Sequence, residues 1–367
     1  MGIQGGGFIG FMSDTFFKML KKGVRLPMLL VDGADLVRCL AAPILPRRTT
    51  VKASLPGHLP LDGARKVAVF NHYDQRGIVH DYVVYFVAKL AEAGYAVIFA
   101  SNCPKLSAKE TGKVLPHVAW VLKRRNIGWD FGAFKDAIAL IPDPGALDQL
   151  LITNDSIYGP LQDLAEVVRQ ADPAQAGIWG LTDSWDRHFH LQSYFLIFHH
   201  AALKHPSFLK FWKKVRYYRR KRWVIRDYEI GMTRFFLRAG IQCRALLPYR
   251  SVVSEISKPL NEALDRSKQQ DAVVDNHGNS QGQILPYLRQ LQKAINQGRP
   301  LNQTHYFWDY LVARKASPFI KRDLLQRNPV GIPCVQRWEE VIRASSPSYD
   351  TSLILHHLQL SMRNRVH

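Results

Sequence analysis

The sequence predicts an α/β protein with a mostly parallel sheet flanked by helices. Three observations lead there. Short apolar runs with strand character recur at residues 67–70, 95–100, 117–122 and 147–153. Helix-like segments separate or follow them at 78–93, 108–115, 131–141 and 161–170. Each of the four runs also ends in small polar or charged residues. Strands alternating with helices of this length imply parallel pairing through crossovers.

The elements follow in order. V-A-V-F (67–70) ends in N-H-Y-D, from Asn71 to Asp74. Y-A-V-I-F-A (95–100) ends in Ser101 and Asn102. The third run ends in K-R-R-N, which includes Arg125 and Asn126. The fourth, L-L-I, ends in Thr153, Asn154, Asp155 and Ser156, and Y-G-P then closes it. One such end is ordinary turn chemistry. Four on one edge point to a cleft for a nucleotide or polar substrate, because ligands of such sheets sit beyond the carboxyl ends of the strands. Further strands are expected at 178–181 and 193–198.

Outside this block the chain changes character. Residues 1–60 read as an appendage, with an amphipathic helix around Phe16, Phe17, Met19 and Leu20 beside Lys18, Lys21 and Lys22. Pro43, Pro46, Pro56 and Pro60 then suggest a linker. Residues 61–250 carry the alternating pattern, and 251–367 read as mainly helical, with helices at 284–296 and 306–314. A polar tract at 265–283 reads as a mobile loop. No internal repeat is present.

Composition sets bounds. The 367 residues are 47 % hydrophobic and 22 % charged, enough for a sizeable core. Cys39, Cys103, Cys243 and Cys334 are scattered and read as reduced, which favours the cytosol. The net charge of +20 favours anionic partners. Its densest part, K-K-V-R-Y-Y-R-R-K-R-W at 213–223, suits either a solvated helix face or an anionic membrane surface. Nucleic acid is not expected, because no binding module accompanies the cluster. The best candidate for a spanning segment, 26–46, carries Asp32, Asp35 and Arg38. The opening M-G-I-Q-G-G-G-F shows neither a secretory signal nor a nucleotide loop, and Gly6 stands where a myristoylation motif has Ser or Thr.

Three stretches can carry chemistry. In R-N-I-G-W-D-F-G-A-F-K-D, glycines flank Asp130 at the mouth of a helix, where an anion or hydroxyl array is favoured. The D-F-G within it lacks the glycine loop, lysine strand and H-R-D loop of a kinase. In T-N-D-S, Asp155 can serve a divalent cation or cap the following turn. In R-D-Y-E-I-G, Asp227 and Glu229 precede a helix, either as acids favoured by its dipole or as a general base. The histidines near His188, His190, His199, His200 and His205 form no zinc pattern, and no G-x-S-x-G elbow occurs.

In this order the stretches resemble the sugar-nucleotide-binding GT-A fold of inverting glycosyltransferases. More closely, N-I-G-W-D-F-G-A-F-K-D, N-D-S-I-Y-G-P, L-Q-S-Y-F-L-I-F and Y-E-I-G resemble the rhamnan synthesis protein F family of bacterial polysaccharide enzymes. The resemblance resumes at N-Q-T-H-Y-F-W-D-Y-L and P-F-I-K-R-D-L-L-Q-R-N-P. It implies a GT-A-like, Rossmann-related domain at 61–250. Asn71, Ser101, Asn102, Arg125, Asn126, Asp130, Asn154 and Asp155 would then bind the donor. Gln192 and Ser193 would lie under the donor or acceptor sugar, and Glu229 or Asp227 would be the base. Thr153 replaces the first acid of D-x-D, so Mg²⁺ or Mn²⁺ at Asp155 stays open. Arg226 replaces the Glu of E-D and favours Glu229 as the base.

The expected activity is transfer of a sugar, rhamnose from its dTDP donor, with inversion, to a lipid-linked glycan such as O-antigen or rhamnan. The place is the inner face of the bacterial plasma membrane. Two alternatives stand beside it: sugar-phosphate or polyol-phosphate transfer on the same scaffold, and a non-catalytic membrane-docked scaffold.

Overall fold

The structure is a computed structural model describing residues 50–270, 281–333 and 335–363, together with 33, 34 and 37. The helix expected near residues 16–22, and Cys39 and Cys334, lie outside the described residues. Four expected strands form side by side: β2 (Lys66–His72), β3 (Ala96–Ser101), β4 (Trp120–Arg124) and β5 (Gln149–Asn154). They run parallel in the order β4-β3-β2-β5. Helices α1 (Asp81–Glu92), α2 (Ala108–Gly112) and α3 (Trp129–Ile138) lie on the connections between them. The predicted linker departs from expectation. Strand β1 (Val51–Pro56) forms there and pairs antiparallel with β4 at the sheet edge. Proline is tolerated at an edge because its missing N–H leaves no ladder bond unmade.

Beyond β5 and the two-residue β6 (Ile157–Tyr158), helix α4 (Leu164–Arg169) leads to β7 (Ile178–Ser184), β8 (His190–Leu191) and β9 (Phe195–His199). β9 lies antiparallel between β5 and β7, while β10 (Cys243–Leu247) lies parallel to β7. The nine-stranded sheet is therefore mixed. β7 folds straight back through β8, with no helix to carry the chain across the sheet, so β9 must return in the opposite sense.

Strand alternation decides the two faces. Val67, Val69, Ile98 and Ile152 point to one side, where Phe131 and Phe134 of α3 pack. After β9, α5 (His200–Lys204), α6 (Pro206–Lys214), α7 (Lys221–Val224), a π-helical turn at Ile225–Glu229 and α8 (Ile230–Arg238) follow. Phe208, Trp212, Met232 and Phe236 of these helices join that side. Ala68, Phe70 and Phe99 point to the other side, against Phe86 of α1. Strands buried on both faces read as continuous apolar runs, which is why they stand out in the sequence.

The last part is helical, as expected: α9 (Tyr249–Gln270), α10 (Gln281–Asn296), α11 (Gln303–Tyr306), α12 (Trp308–Lys315), α13 (Arg322–Arg327), α14 (Trp338–Ser345) and α15 (Ser352–Arg363), with a short strand β11 (Ile320–Lys321). Residues 265–270 of the tract read as a loop instead continue α9, and 281–283 open α10. The region does not stand apart. Trp308, Val312, Trp338, Ile342 and Ile354 share a core with Phe70 and Phe86. No helix among the described residues is long and apolar enough to cross a membrane. Cys103 and Cys243 are buried free thiols.

Candidate functional site

The parallel strands end at one edge, and their tips are laced together. The Asn102 amide donates to the His72 carbonyl at 2.8 Å, and the Asp155 amide to the Asn71 carbonyl at 3.1 Å. Asp130, in the first turn of α3, faces these tips. Asn71 Nδ2 donates to its Oδ1 at 2.6 Å and Asn154 Nδ2 to its Oδ2 at 3.1 Å. Two neighbouring strands thus hold one carboxylate. Burial pushes that carboxyl up to about 6; Asp155 and Glu229 push the same way, while Lys221 and Lys321 oppose them. Asn71 is itself buried, and its Oδ1 has no partner, so an acceptor stands unsatisfied beside Asp130.

The segment before α3 is strained. Trp129 has φ of 52°, which bulky residues rarely adopt. Its indole Nε1 donates to the Arg219 carbonyl at 3.0 Å, and its carbonyl accepts from Asn102 Nδ2 at 3.4 Å. Gly132 permits the tight approach: a Cβ there would stand 2.7 Å from the Ile127 carbonyl oxygen.

Asp155 is buried and already bound. Its Oδ2 accepts from the Tyr73 amide at 3.1 Å and from Arg322 Nη1 at 3.2 Å. The same guanidinium nitrogen donates to the Tyr82 hydroxyl at 2.8 Å, and that hydroxyl donates to the Asp155 carbonyl at 3.2 Å. Thr153, at the first position of the D-x-D-like pair, donates its hydroxyl to the Tyr194 carbonyl at 2.8 Å. These residues do not fit a divalent cation, which wants several free oxygen donors. The carboxylate offered is paired with arginine, and its partner position donates elsewhere. Among the described residues no cluster of three metal-ligating side chains forms.

β11 brings in residues that the strand-tip reading missed. It pairs with β6, Ile320 against Tyr158 and Lys321 against Ile157. Gly159 makes this docking fit: at φ of 132°, a Cβ there would stand 2.3 Å from the Pro318 carbonyl oxygen. Arg322 thereby reaches Asp155. Lys321 Nζ lies 3.8 Å from the centre of the Tyr194 ring and 3.5 Å from Ser156 Oγ. Burial lowers its ammonium to about 8, against the pull of Asp323, Glu229 and Asp130. The sequence signal existed: I-K-R-D lies in a stretch that resembled the family.

Of the two base candidates, Asp227 is engaged by Arg226, whose Nη2 stands 3.0 Å from Oδ2, and by the Tyr218 hydroxyl at 2.7 Å. Glu229 lies two residues on, and its charge is felt by both Asp130 and Lys321.

The remaining predicted residues are spread more widely. Ser101 Oγ accepts from the Cys103 amide at 3.3 Å and lies 3.4 Å from His72 Nδ1. Arg125 and Asn126 are exposed just past β4. The arginine that turns inward is Arg124, which sequence reasoning missed. It is 1 % exposed, bonds Asp136 Oδ2 through Nε at 2.9 Å and Nη2 at 2.7 Å, and donates to Asn102 Oδ1. Gln192 Oε1 accepts from Thr182 Oγ1 at 2.6 Å, and Thr182 Oγ1 lies 2.7 Å from the Tyr194 hydroxyl; Ser193 is buried. Gln192 therefore sits behind the tyrosine whose ring faces Lys321.

The basic stretch 213–223 also resolves into parts. Tyr217 donates to Asp136 and Tyr218 to Asp227, so both rings serve the interior. Trp223 has the guanidinium groups of Arg222 and Arg226 at 4.6 and 4.1 Å from its ring centre.

Residues 97–259 match the family model described as rhamnan synthesis protein F. A protein of Sinorhizobium fredii named y4gN, described as uncharacterized, is 26% identical over 185 residues. That match covers 49% of this chain and 48% of y4gN, so the chain spans about half the length of that relative. Virulence protein VirA of Vibrio anguillarum is 26% identical over 230 residues, covering 61% of this chain and 68% of VirA.

Proposed function

From the match of residues 97–259 to the family model described as rhamnan synthesis protein F, we propose that the protein is an inverting glycosyltransferase of bacterial surface polysaccharide synthesis. One observation carries the reading. Two acids, Asp130 and Asp155, and two cations, Lys321 and Arg322, gather at the carboxyl edge of a parallel sheet, and the charge of Glu229 acts on Asp130 and Lys321. Ligands of open α/β sheets bind there.

In this reading the donor is a nucleotide sugar, with dTDP-rhamnose the first to try. Asp130 and the unsatisfied Asn71 Oδ1 accept hydrogen bonds from ribose or sugar hydroxyls. Lys321 and Arg322 attract the diphosphate. Glu229 takes the proton of the acceptor hydroxyl as its oxygen bonds to the anomeric carbon. The bond from that carbon to the diphosphate oxygen breaks, and the nucleoside diphosphate leaves with the electron pair. Cations already in place stabilise the charge developing on the leaving group. The acceptor is a lipid-linked glycan, and the protein works at the inner face of the plasma membrane.

A panel of nucleotide sugars in thermal melts, followed by nucleotide product analysis, tests the proposal. A donor that stabilises the protein and yields nucleoside diphosphate supports it. Release of nucleoside monophosphate would instead show phosphosugar transfer. Glu229→Gln is expected to lower kcat by about 10²- to 10⁴-fold at little change in donor KM. Asp227→Asn is expected to do much less, because Asp227 is spoken for by Arg226.

A further inference from the structure

α6 and α8 lie side by side and enclose a groove of about 1020 Å³ on the molecule's surface. Its walls carry Arg187, Lys210, Lys214, Arg226, Arg234 and Arg238, and its floor includes Phe211, Ile230 and Phe235. Lys210 and Lys214 stand four residues apart on α6, as do Arg234 and Arg238 on α8. Like charges at this spacing repel along a helix. The carboxylate lining the groove, Asp227, is bonded to Arg226 and Tyr218. Among the described residues, Arg187, Lys210, Lys214, Arg234 and Arg238 have no acidic partner within ion-pair range. The groove is an unneutralised positive surface.

Apolar side chains also stand exposed on the same elements, outside the groove's own lining. The large apolar residues exposed by more than a third include Leu209 on α6, Leu237 on α8 and Ile225 beside Arg226. Exposed leucines among cations are unfavourable in water and unsuited to a phosphate backbone that presents only charge. They suit a surface where anionic headgroups lie over hydrocarbon.

We propose that the α6–α8 groove is the docking surface for an anionic lipid bilayer. Its cations meet lipid phosphates, and Leu209, Ile225 and Leu237 enter the apolar layer. This surface differs from the tyrosines of 213–223, which face the interior. It adjoins the proposed active site through the π-helical turn Ile225–Glu229. Arg226 and Asp227 line the groove, while the charge of Glu229 is felt at Asp130 and Lys321. A docked groove therefore holds the bilayer next to the proposed base, where a lipid-linked acceptor would arrive. The proposal rests on the lipid-linked acceptor of the preceding reading.

The test is flotation of the full chain with vesicles of phosphatidylcholine alone or mixed with phosphatidylglycerol. Binding is expected to the mixed vesicles only, and to weaken with salt. Lys210→Glu with Arg234→Glu is expected to lower partitioning by more than about tenfold, since each basic residue near such a surface contributes about fivefold. Lys109→Glu with Lys258→Glu, exposed cations on other helices, is expected to leave it unchanged. Leu209→Ser with Leu237→Ser is expected to remove the binding that persists at high salt. Melting curves establish that each variant is folded. Equal binding to neutral vesicles, or wild-type binding by the charge-reversed protein, would overturn the proposal. So would capture of a random oligonucleotide with no vesicle binding. Donor stabilisation separates the two readings: its absence from the parent protein as well as the variants sinks the transferase, whereas lost docking with intact donor binding leaves the transferase standing.

Discussion

Asp155 shows how a residue's neighbours decide its role. Its carboxylate meets Arg322 and the Tyr73 amide in a buried setting, so the pair acts as a unit. Asp155→Asn leaves a guanidinium partly buried without its counter-charge, which costs about 3–5 kcal/mol in such settings. Urea unfolding is expected to show a loss of that order, and Arg322→Met on the same background is expected to recover part of it. Asp130 behaves differently. Its carboxyl is raised from 3.8 to about 6, so the folded state binds that proton more tightly than the unfolded chain. The stability it contributes is complete when it is protonated, and is lost as pH climbs from 3.8 to about 6. Melting curves of Asp130→Asn against the parent are expected to converge in acid and to favour the variant above about 6. Donor binding takes the opposite sense, because accepting sugar hydroxyls is best done by the ionised form; affinity is expected to fall below that value.

At the scale of elements, the segment from β4 into α3 concentrates the constraints. Arg124 closes β4, Trp129 opens α3 in a strained conformation, and Gly132 leaves no room for a side chain against Ile127. The spacing N-x-G-x-x-x-G of residues 126–132 is thus a packing requirement in its own right. Gly132→Ala is expected to cost about 1–3 kcal/mol through overpacking, since the obstructing atom is backbone. It is also expected to disturb Arg124, whose Nη2 would stand 3.3 Å from the added carbon. Thermal melts check the first effect and donor affinity the second. The π-helical turn Ile225–Glu229 precedes α8 and carries both acids: Asp227 within it is held by Arg226 and Tyr218, and Glu229 closes it.

For the whole molecule, the C-terminal helices and β11 complete the site. The family match ends at residue 259, yet Lys321 and Arg322 arrive from beyond it. Gly159 lets Pro318 approach and so seats β11 on β6. Gly159→Ala is expected to unseat β11, abolish the Arg322–Asp155 pair and remove donor stabilisation in thermal melts while the parallel strands persist by circular dichroism. A chain ended at residue 315 is expected to uncover Phe86, whose ring packs 5.0 Å from that of Phe319, and to aggregate.

The sequence by itself determined the parallel strands, because strands buried on both faces must be apolar throughout and must end in polar turns. It also determined the carboxyl edge as the candidate site, with Asn71, Asp130, Asn154 and Asp155 on it. The engagement of Asp227 by Arg226 was legible too, because the two are adjacent in the chain. What only the tertiary structure decided depends on long-range packing. β9 runs backwards because no helix fits between it and β7. β1 forms because β4 offers a free edge to a stretch that reads as linker. Arg124 rather than Arg125 turns inward, because adjacent strand residues face opposite ways and only one meets Asp136. Arg322 reaches Asp155, and Lys321 reaches Ser156 and the Tyr194 ring, across more than 120 residues of chain, a closure that no local pattern encodes.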